Sequence, residues 1–249
     1  MLESFTKPMV FAHRGAKKYA PENTIAAFRL AVEQGADAIE LDVKLSADDH
    51  VMVIHDQTVD RTTNGKGKVN QLSHEELKQL DAGSFFHPRF SKEQIPTLDE
   101  VFESVGKKIF INVELTNYTS TGDRLVPLVA EIVKRHNVQN SVMFSSFEPE
   151  NLRKITKLLP DVPVGLLADV GLKGARNRST EFLDISPRII HPYLTDVTPR
   201  FMARERERGR RVHVWTVNFE ISLRRLKKLG VDGVFTDDPV KALRVMRGK

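Results

Sequence analysis

The chain has 249 residues, 40% of them hydrophobic and 29% charged, with a formal net charge of +5 and no cysteine. That length can bury a full core as one large α/β domain or two small ones. The absence of cysteine excludes a disulfide framework and a thiolate metal site, and the charge excess is too small to argue for nucleic acid as a partner. No stretch approaches 18 apolar residues and the polar Met1–Pro8 has no apolar leader region, so no transmembrane segment and no signal peptide is expected, and a cytoplasmic location is.

Apolar runs alternate with amphipathic stretches along the whole sequence. A strand-like run at Met9–Ala12 is followed by a helical pattern at Asn23–Gln34, a run at Ala38–Val43, and, further on, a helix at Leu98–Ser104. Then come a run at Lys108–Leu115, a helix at Asp123–Arg135, a run at Ser141–Ser145, a helix at Glu148–Leu159 and a run at Pro163–Leu167. Runs at Ile189–Pro192, Arg211–Val217 and Gly233–Thr236 complete the series, with helical patterns at Thr198–Arg208 and Ile221–Leu229 between them. Eight strands with helices between most of them fit a (β/α)8 TIM barrel in count and length. The competing architecture, an open doubly wound sheet, lacks a Gly-rich fingerprint at the first helix. The reading is therefore a single catalytic barrel domain over residues 1–249.

One segment breaks the rhythm. Val51–His55 follows the Ala38–Leu45 run after only Ser46 to His50, too short a link for a parallel crossover, so the two must pair as an antiparallel hairpin. A turn centred on Ala47–Asp48 sets His55 opposite Glu40 and Val53 opposite Asp42. Residues 57–96 then form an insertion after the second strand, rich in turn signals and with a helix cap at Ser73-His74-Glu75-Glu76. It is expected to cover the barrel mouth and contribute to substrate choice. Arg204–Arg211 reads as a solvated face with i,i+4 pairing, and Asp237-Asp238-Pro239 as the start of a last helix.

Alternation places Glu40 and Asp42 on one face of a strand and Ile39, Leu41 and Val43 on the other. Two carboxylates on the inner face of a buried strand are costly unless a cation neutralises them. Glu114 sits in a comparable position, and His13 and His55 each end an apolar run. In a parallel barrel the C-terminal strand ends share the ligand-binding face. Glu40, Asp42 and Glu114 then read as ligands of a hard divalent cation, Mg²⁺ or Ca²⁺, since no cysteine is present. Taken one at a time, each acid could instead cap a strand end or pair with Lys or Arg. Beside such an ion Arg14 would bind a phosphate bidentately. His13 and His55 fit phosphodiester cleavage, one removing a proton from the attacking oxygen and the other protonating the leaving alkoxide. Trp215, the chain's only tryptophan, and Tyr193 are candidates for the pocket wall or for core aromatics. His213 lines the pocket or packs in the core, and His50, His74, His87 and His136 read as surface residues.

These residues resemble the glycerophosphodiester phosphodiesterases. The motifs that carry the resemblance are Ala12-His13-Arg14-Gly15, Pro21-Glu22-Asn23-Thr24, Glu40-Leu41-Asp42-Val43, His55-Asp56, Asp60-Arg61-Thr62-Thr63-Asn64-Gly65 and Leu80-Asp81-Ala82-Gly83. Ile95-Pro96-Thr97-Leu98, Ser145-Ser146-Phe147, Trp215-Thr216-Val217-Asn218, Gly230-Val231-Asp232-Gly233 and Thr236-Asp237-Asp238-Pro239 continue it, in order from residue 9 to residue 240. The resemblance implies the same barrel with its insertion, metal ligands at Glu40, Asp42 and Glu114, acid–base roles for His13 and His55, and phosphate binding by Arg14. It further implies hydrolysis of small glycerophosphodiesters, such as glycerophosphocholine and glycerophosphoethanolamine, to glycerol 3-phosphate and an alcohol. The neighbouring glycerol hydroxyl is proposed as first nucleophile in that family.

The family usually carries Lys two residues after the third ligand, whereas Glu114-Leu115-Thr116 has threonine there. Thr116 is expected to face the phosphate, where a lysine would raise catalytic efficiency. Two other readings keep the same site. One is a lysophospholipase D or cyclising lyase, which requires an apolar rim at the mouth, with Phe85-Phe86 as the obvious candidate. The other is an inactive barrel that only binds glycerophosphodiesters. The protein is expected to be a monomer or a homodimer.

Overall fold

Barrel strands are covered on both faces, so their sequences read as nearly unbroken apolar runs. Each run found in the sequence becomes such a strand in the computed structural model, which describes residues 8–120 and 122–248. The strands are β1 (Met9–His13), β2 (Ala38–Leu45), β3 (Val51–Val53), β4 (Phe110–Leu115), β5 (Val142–Ser146), β6 (Val164–Ala168), β7 (Ile189–Pro192), β8 (Arg211–Val214) and β9 (Gly233–Thr236). They lie in the order β1-β9-β8-β7-β6-β5-β4-β2-β3, and β1 also pairs with β2, so eight parallel strands close into a (β/α)8 barrel with β3 attached antiparallel to β2.

The helices are α1 (Ile25–Glu33), α2 (His74–Lys78), α3 (Leu98–Val105), α4 (Leu125–Arg135), α5 (Pro149–Leu158), α6 (Gly171–Asn177), α7 (Pro199–Glu207), α8 (Glu220–Leu229) and α9 (Pro239–Arg247). Outward-facing Ile39, Leu41, Val43, Ile111 and Val113 pack with Phe28, Val101, Val129 and Leu152 of the surrounding helices. The barrel floor is filled by Met9, Phe11, Phe110, Met143 and Phe235.

Helix starts follow local chemistry. Thr24 caps α1 by accepting from Ala27 N at 3.3 Å, Ser73 and Glu76 form the expected capping box on α2, and Asp238 caps α9 by accepting from Lys241 N at 3.1 Å. Helix α6, short and opened by Gly171, carries no capping side chain and gave no sequence signal.

Several expectations are corrected. The hairpin register is shifted by one residue: Val53 pairs with Val43, and Leu45 with Val51. Residues 46–50 turn about Asp48 rather than between Ala47 and Asp48, with Asp49 in the left-handed region at φ 63° and Ser46 Oγ accepting from His50 N at 2.9 Å. The run Arg204–Arg211 is not wholly a solvated face. Glu205 is buried and accepts from Arg210 Nε at 2.6 Å and from Arg204 Nε at 2.9 Å, fastening α7 to the entry of β8. His136 is mostly covered, against Phe102 and Asp99 Oδ1.

The insertion has a small apolar cluster of its own, Val59, Val69, Leu77, Ala82 and Ile95, built on Met52 and Ile54. It stands beside the barrel mouth rather than over the cavity. Arg89 Nη2 donates to Tyr19 O at 3.2 Å, and Ala26 N donates to Glu93 Oε2 at 3.1 Å.

Candidate active site

Strand register assembles the site in layers. His13, Glu40 and Asn112 are direct neighbours across β1, β2 and β4, and one step higher Asp42, Glu114 and Ser145 are neighbours across β2, β4 and β5. Inward-facing positions of the same height meet at the barrel axis, so the inner carboxylates converge although 72 residues separate Asp42 from Glu114 in sequence. Glu40, Asp42 and Glu114 each offer an oxygen within 4.8 Å of the others.

These residues, with His13, Arg14, His55, Phe147, Leu167, Trp215 and Phe235, line a cavity of about 120 Å³ at the C-terminal end of the barrel. Larger hollows elsewhere, one between Arg178, Arg200 and Phe201, hold no comparable grouping of acids and histidines.

The loop after β1 shapes one wall. Gly15 takes φ 81°, and a Cβ there would lie 2.7 Å from Ala27, so only glycine lets the chain turn under α1. Arg14, itself at φ 57°, thereby aims its backbone N at Glu40 Oε2 at 2.9 Å. Its guanidinium meets Glu22 Oε1 at 2.9 Å and Asp42 Oδ2 at 3.4 Å. Asn23, at φ 56°, donates to Asp42 Oδ2 at 2.9 Å.

The two histidines are held alike. His13 Nδ1 meets Asp237 Oδ1 at 2.7 Å, and His55 Nδ1 meets Asp56 Oδ1 at 2.6 Å. Each carboxylate fixes the ring by accepting from Nδ1–H, leaving Nε2 for the cavity. Arg61 bridges from Asp56 to Glu22 and so links His55 to the Arg14 side of the site.

The electrostatics are those of crowded anions. Burial, then Asp42 and Glu114, push the Glu40 carboxyl well above the usual range. Burial and Asp42 raise Glu114 to about 7. Burial would also raise Asp42, but the Arg14 guanidinium, followed by His55 and Asn23, outweighs it and holds Asp42 low. Burial lowers His13 despite the opposing bond to Asp237, which itself falls to about 2 because His13 and Lys17 outweigh its burial.

Glu40 Oε1 is buried with no hydrogen-bond partner. An all-oxygen donor set with one orphaned lone-pair site and mutually repelling charges fits a hard divalent cation.

Among the residues singled out in the sequence, His13, Arg14, Glu40, Asp42, His55, Glu114 and Trp215 are brought together at this cavity. Trp215 donates Nε1–H to His191 O at 2.7 Å and packs edge-on to Phe147, with centroids 5.4 Å apart. Tyr193 lies behind Trp215, centroids 5.1 Å apart, and outside the lining. His213 packs in the barrel floor against Phe11, 5.1 Å between centroids.

Thr116 is buried and also outside the lining. Its hydroxyl donates to Val43 O at 2.9 Å and accepts from Lys44 Nζ at 2.6 Å. Lys44 belongs to the inner face of β2, two residues beyond Asp42. Burial lowers the pKa of its ammonium, while Asp42, Glu114 and Asp56 oppose the shift.

Several residues at the site carried no distinct sequence signal. Asp237 read as a helix start, Asp56 stood only as a neighbour of His55, and Lys44 and Tyr118 were unmarked. Tyr118, one helical turn's spacing past Glu114, donates its hydroxyl to Glu114 Oε1 at 2.7 Å. No residue of 57–96 lines the cavity among the described residues. The insertion reaches its surroundings through Arg61, which bonds both Asp56 and Glu22.

Comparison with known proteins agrees with this geometry. Residues 13–241 match the glycerophosphoryl diester phosphodiesterase family. A glycerophosphodiester phosphodiesterase of Caldanaerobacter subterraneus subsp. tengcongensis is 41% identical over 97% of this chain and 98% of its own length. One from Bacillus altitudinis is 35% identical over 95% and 97%. Among solved structures, an Oleispira antarctica phosphodiesterase in complex with the product sn-glycerol-3-phosphate superposes with a TM-score of 0.89 at 30% identity, covering 96% of this chain and 97% of that one. The chain belongs to the glycerophosphoryl diester phosphodiesterase family and is a phosphodiesterase.

Proposed function

We propose that the protein hydrolyses small glycerophosphodiesters, such as glycerophosphocholine and glycerophosphoethanolamine, to sn-glycerol 3-phosphate and the free alcohol, and that it does so with a divalent cation held by Glu40, Asp42 and Glu114. The observation that carries the reading is the convergence of those three carboxylates with two carboxylate-braced histidines in one cavity at the C-terminal end of the barrel. Mg²⁺ and Ca²⁺ both suit the donor set, and either, when bound, supplies the charge that a phosphate oxygen needs in an otherwise anionic cavity.

The chain's own residues account for the rest. Arg14 is pinned by Glu22 and Asp42 and so presents its guanidinium to the phosphate without first having to be ordered. One of His13 and His55 takes the proton of the attacking hydroxyl, that of water or that on the neighbouring glycerol carbon; in the second case water then opens the resulting cyclic phosphate to give glycerol 3-phosphate. The other returns a proton to the leaving alkoxide as the P–O bond breaks. Asp237 and Asp56 keep both rings oriented and stabilise them when charged. Trp215 and Phe147 close the apolar side of the cavity.

The test is release of glycerol 3-phosphate from a panel of head groups with Mg²⁺, with Ca²⁺, and with chelator. Undiminished release after prolonged EDTA treatment defeats the metal assignment. Absence of release from every head group, in protein shown to bind divalent ions, defeats the hydrolytic one. A lysophospholipase D reading shares the site, and the apolar side chains exposed around the mouth favour keeping lysophospholipids on the panel.

A further inference from the structure

Eight large apolar side chains are exposed among the described residues, and seven of them stand at one end of the barrel. Val170 and Leu172 follow β6 directly, Leu172 being 91% exposed. Phe219 and Ile221, 73% and 79% exposed, open α8 after β8. Each parallel strand delivers its chain to the face that holds the cavity, and the next helix begins there, so all four side chains stand on the rim of the mouth. Val240 opens α9 on the same face. Phe85 and Phe86 belong to the insertion, which Arg89 ties to the loop after β1. The eighth, Leu158, lies in the last turn of α5 and so at the opposite end.

Isolated exposed leucines are ordinary, but seven gathered on the substrate-entry face of an enzyme are not. The rim is continuous with the cavity. The loops bearing Leu172 and Ile221 flank β7, whose next residue Tyr193 packs on Trp215, and Trp215 packs on Phe147 in the cavity wall. Cations are interleaved with the apolar side chains: Lys173 and Arg224 are each more than 60% exposed. Their pairs with Glu148 and Glu220 are surface contacts of small energy that can exchange for phosphate. The chain as a whole carries +5. Exposed apolar side chains set among long cations match a phospholipid interface, where the former enter the acyl boundary and the latter meet head groups. A protein partner seated on the same rim would seal the cavity against its substrate, whereas a lipid surface would supply it.

We propose that the catalytic face docks reversibly on a phospholipid bilayer containing anionic lipid, so that phosphodiesters borne by or released at the membrane enter the cavity from the lipid side. The docking itself is read without turnover. It rests on the phosphodiesterase reading only for what the bilayer delivers.

The experiment is co-sedimentation of the full chain with phosphatidylcholine vesicles with and without phosphatidylglycerol, in the presence of Mg²⁺. Wild type should bind the anionic vesicles, more weakly at high salt. Leu172→Asp and Ile221→Asp should each weaken binding roughly ten- to a hundredfold, the loss expected when one buried aliphatic side chain is removed. Leu158→Asp should bind as wild type does. All three variants should keep wild-type melting temperature and kcat/KM on a water-soluble glycerophosphodiester. Failure of wild type to sediment with anionic vesicles overturns the proposal, as does equal binding by Leu172→Asp. A wild-type dimer that Leu172→Asp dissociates, without vesicle binding, would assign the rim to a second copy of the chain instead. Vesicle binding is read without glycerol 3-phosphate release, so the two readings fail separately.

Discussion

The surroundings of Thr116 reverse the expectation drawn from its place two residues after Glu114. A lysine at this position was expected to add a phosphate contact. In the folded protein the threonine hydroxyl instead holds the Lys44 ammonium at 2.6 Å, with a second, longer bond from Lys44 to Thr116 O at 3.3 Å. Lys44 is only 5% exposed, so its charge depends on these partners and on the nearby Asp42, Glu114 and Asp56 carboxylates. Thr116→Val keeps the shape but removes a charged hydrogen bond, a loss of about 1.5–3 kcal/mol. For a chain of this size that lowers Tm by roughly 3–12 °C. Thr116→Lys sets a second ammonium against the first. Two unit charges of like sign about 4 Å apart cost about 4 kcal/mol at an effective dielectric near 20, so this variant should be both less stable and less active. The double variant Lys44→Gln/Thr116→Lys keeps one ammonium between the two strands and should recover most of the loss. Melting curves in Mg²⁺ and kcat/KM for glycerophosphocholine, measured on all four members of the cycle, give the coupling directly. A Thr116→Lys protein as stable as wild type and more active would mean that Lys44 does not occupy the space the structure gives it.

Glu40→Gln and Asp42→Asn should abolish turnover and weaken divalent-ion binding measured by calorimetry, with the circular dichroism spectrum retained. His13→Ala and His55→Ala should each lose about 10²–10⁴-fold in kcat with little change in metal binding. Rescue of only one of them by a nitrophenyl leaving group identifies that histidine as the general acid. Glu114 is raised to about 7, so the metal-free fold binds a proton there that the unfolded chain does not. Stability of EDTA-treated protein should therefore fall as pH rises through neutrality, and excess Mg²⁺ should reverse the fall, both read as Tm. His191 is fully buried, and burial together with His213 holds its pKa well below the usual value. Metal-loaded protein should accordingly lose stability as pH drops below about 6.5, where the unfolded histidine takes up a proton, and His191→Leu should blunt that loss.

Whatever follows from local periodicity is legible in the chain before it folds. Unbroken apolar runs gave the strands. A link too short for a crossover gave the hairpin. Alternation by two put Glu40, Asp42 and Glu114 on the inner face, because a residue's side of a strand depends only on its place in that strand. Tertiary structure alone decided what lies across from what. Barrel closure brings Asp237, at the far end of the chain, to His13 Nδ1, and strand pairing delivers Lys44 to Thr116. The same register pairs Asp42 with Glu114, while the insertion sends Arg61 to Asp56 and Glu22. The exposure of Leu172, Phe219 and Ile221 was equally hidden: an apolar residue at a helix start looks the same in sequence whether its neighbours cover it or leave it on the rim. Contacts between distant segments depend on register and packing over the whole barrel, and no local pattern encodes them.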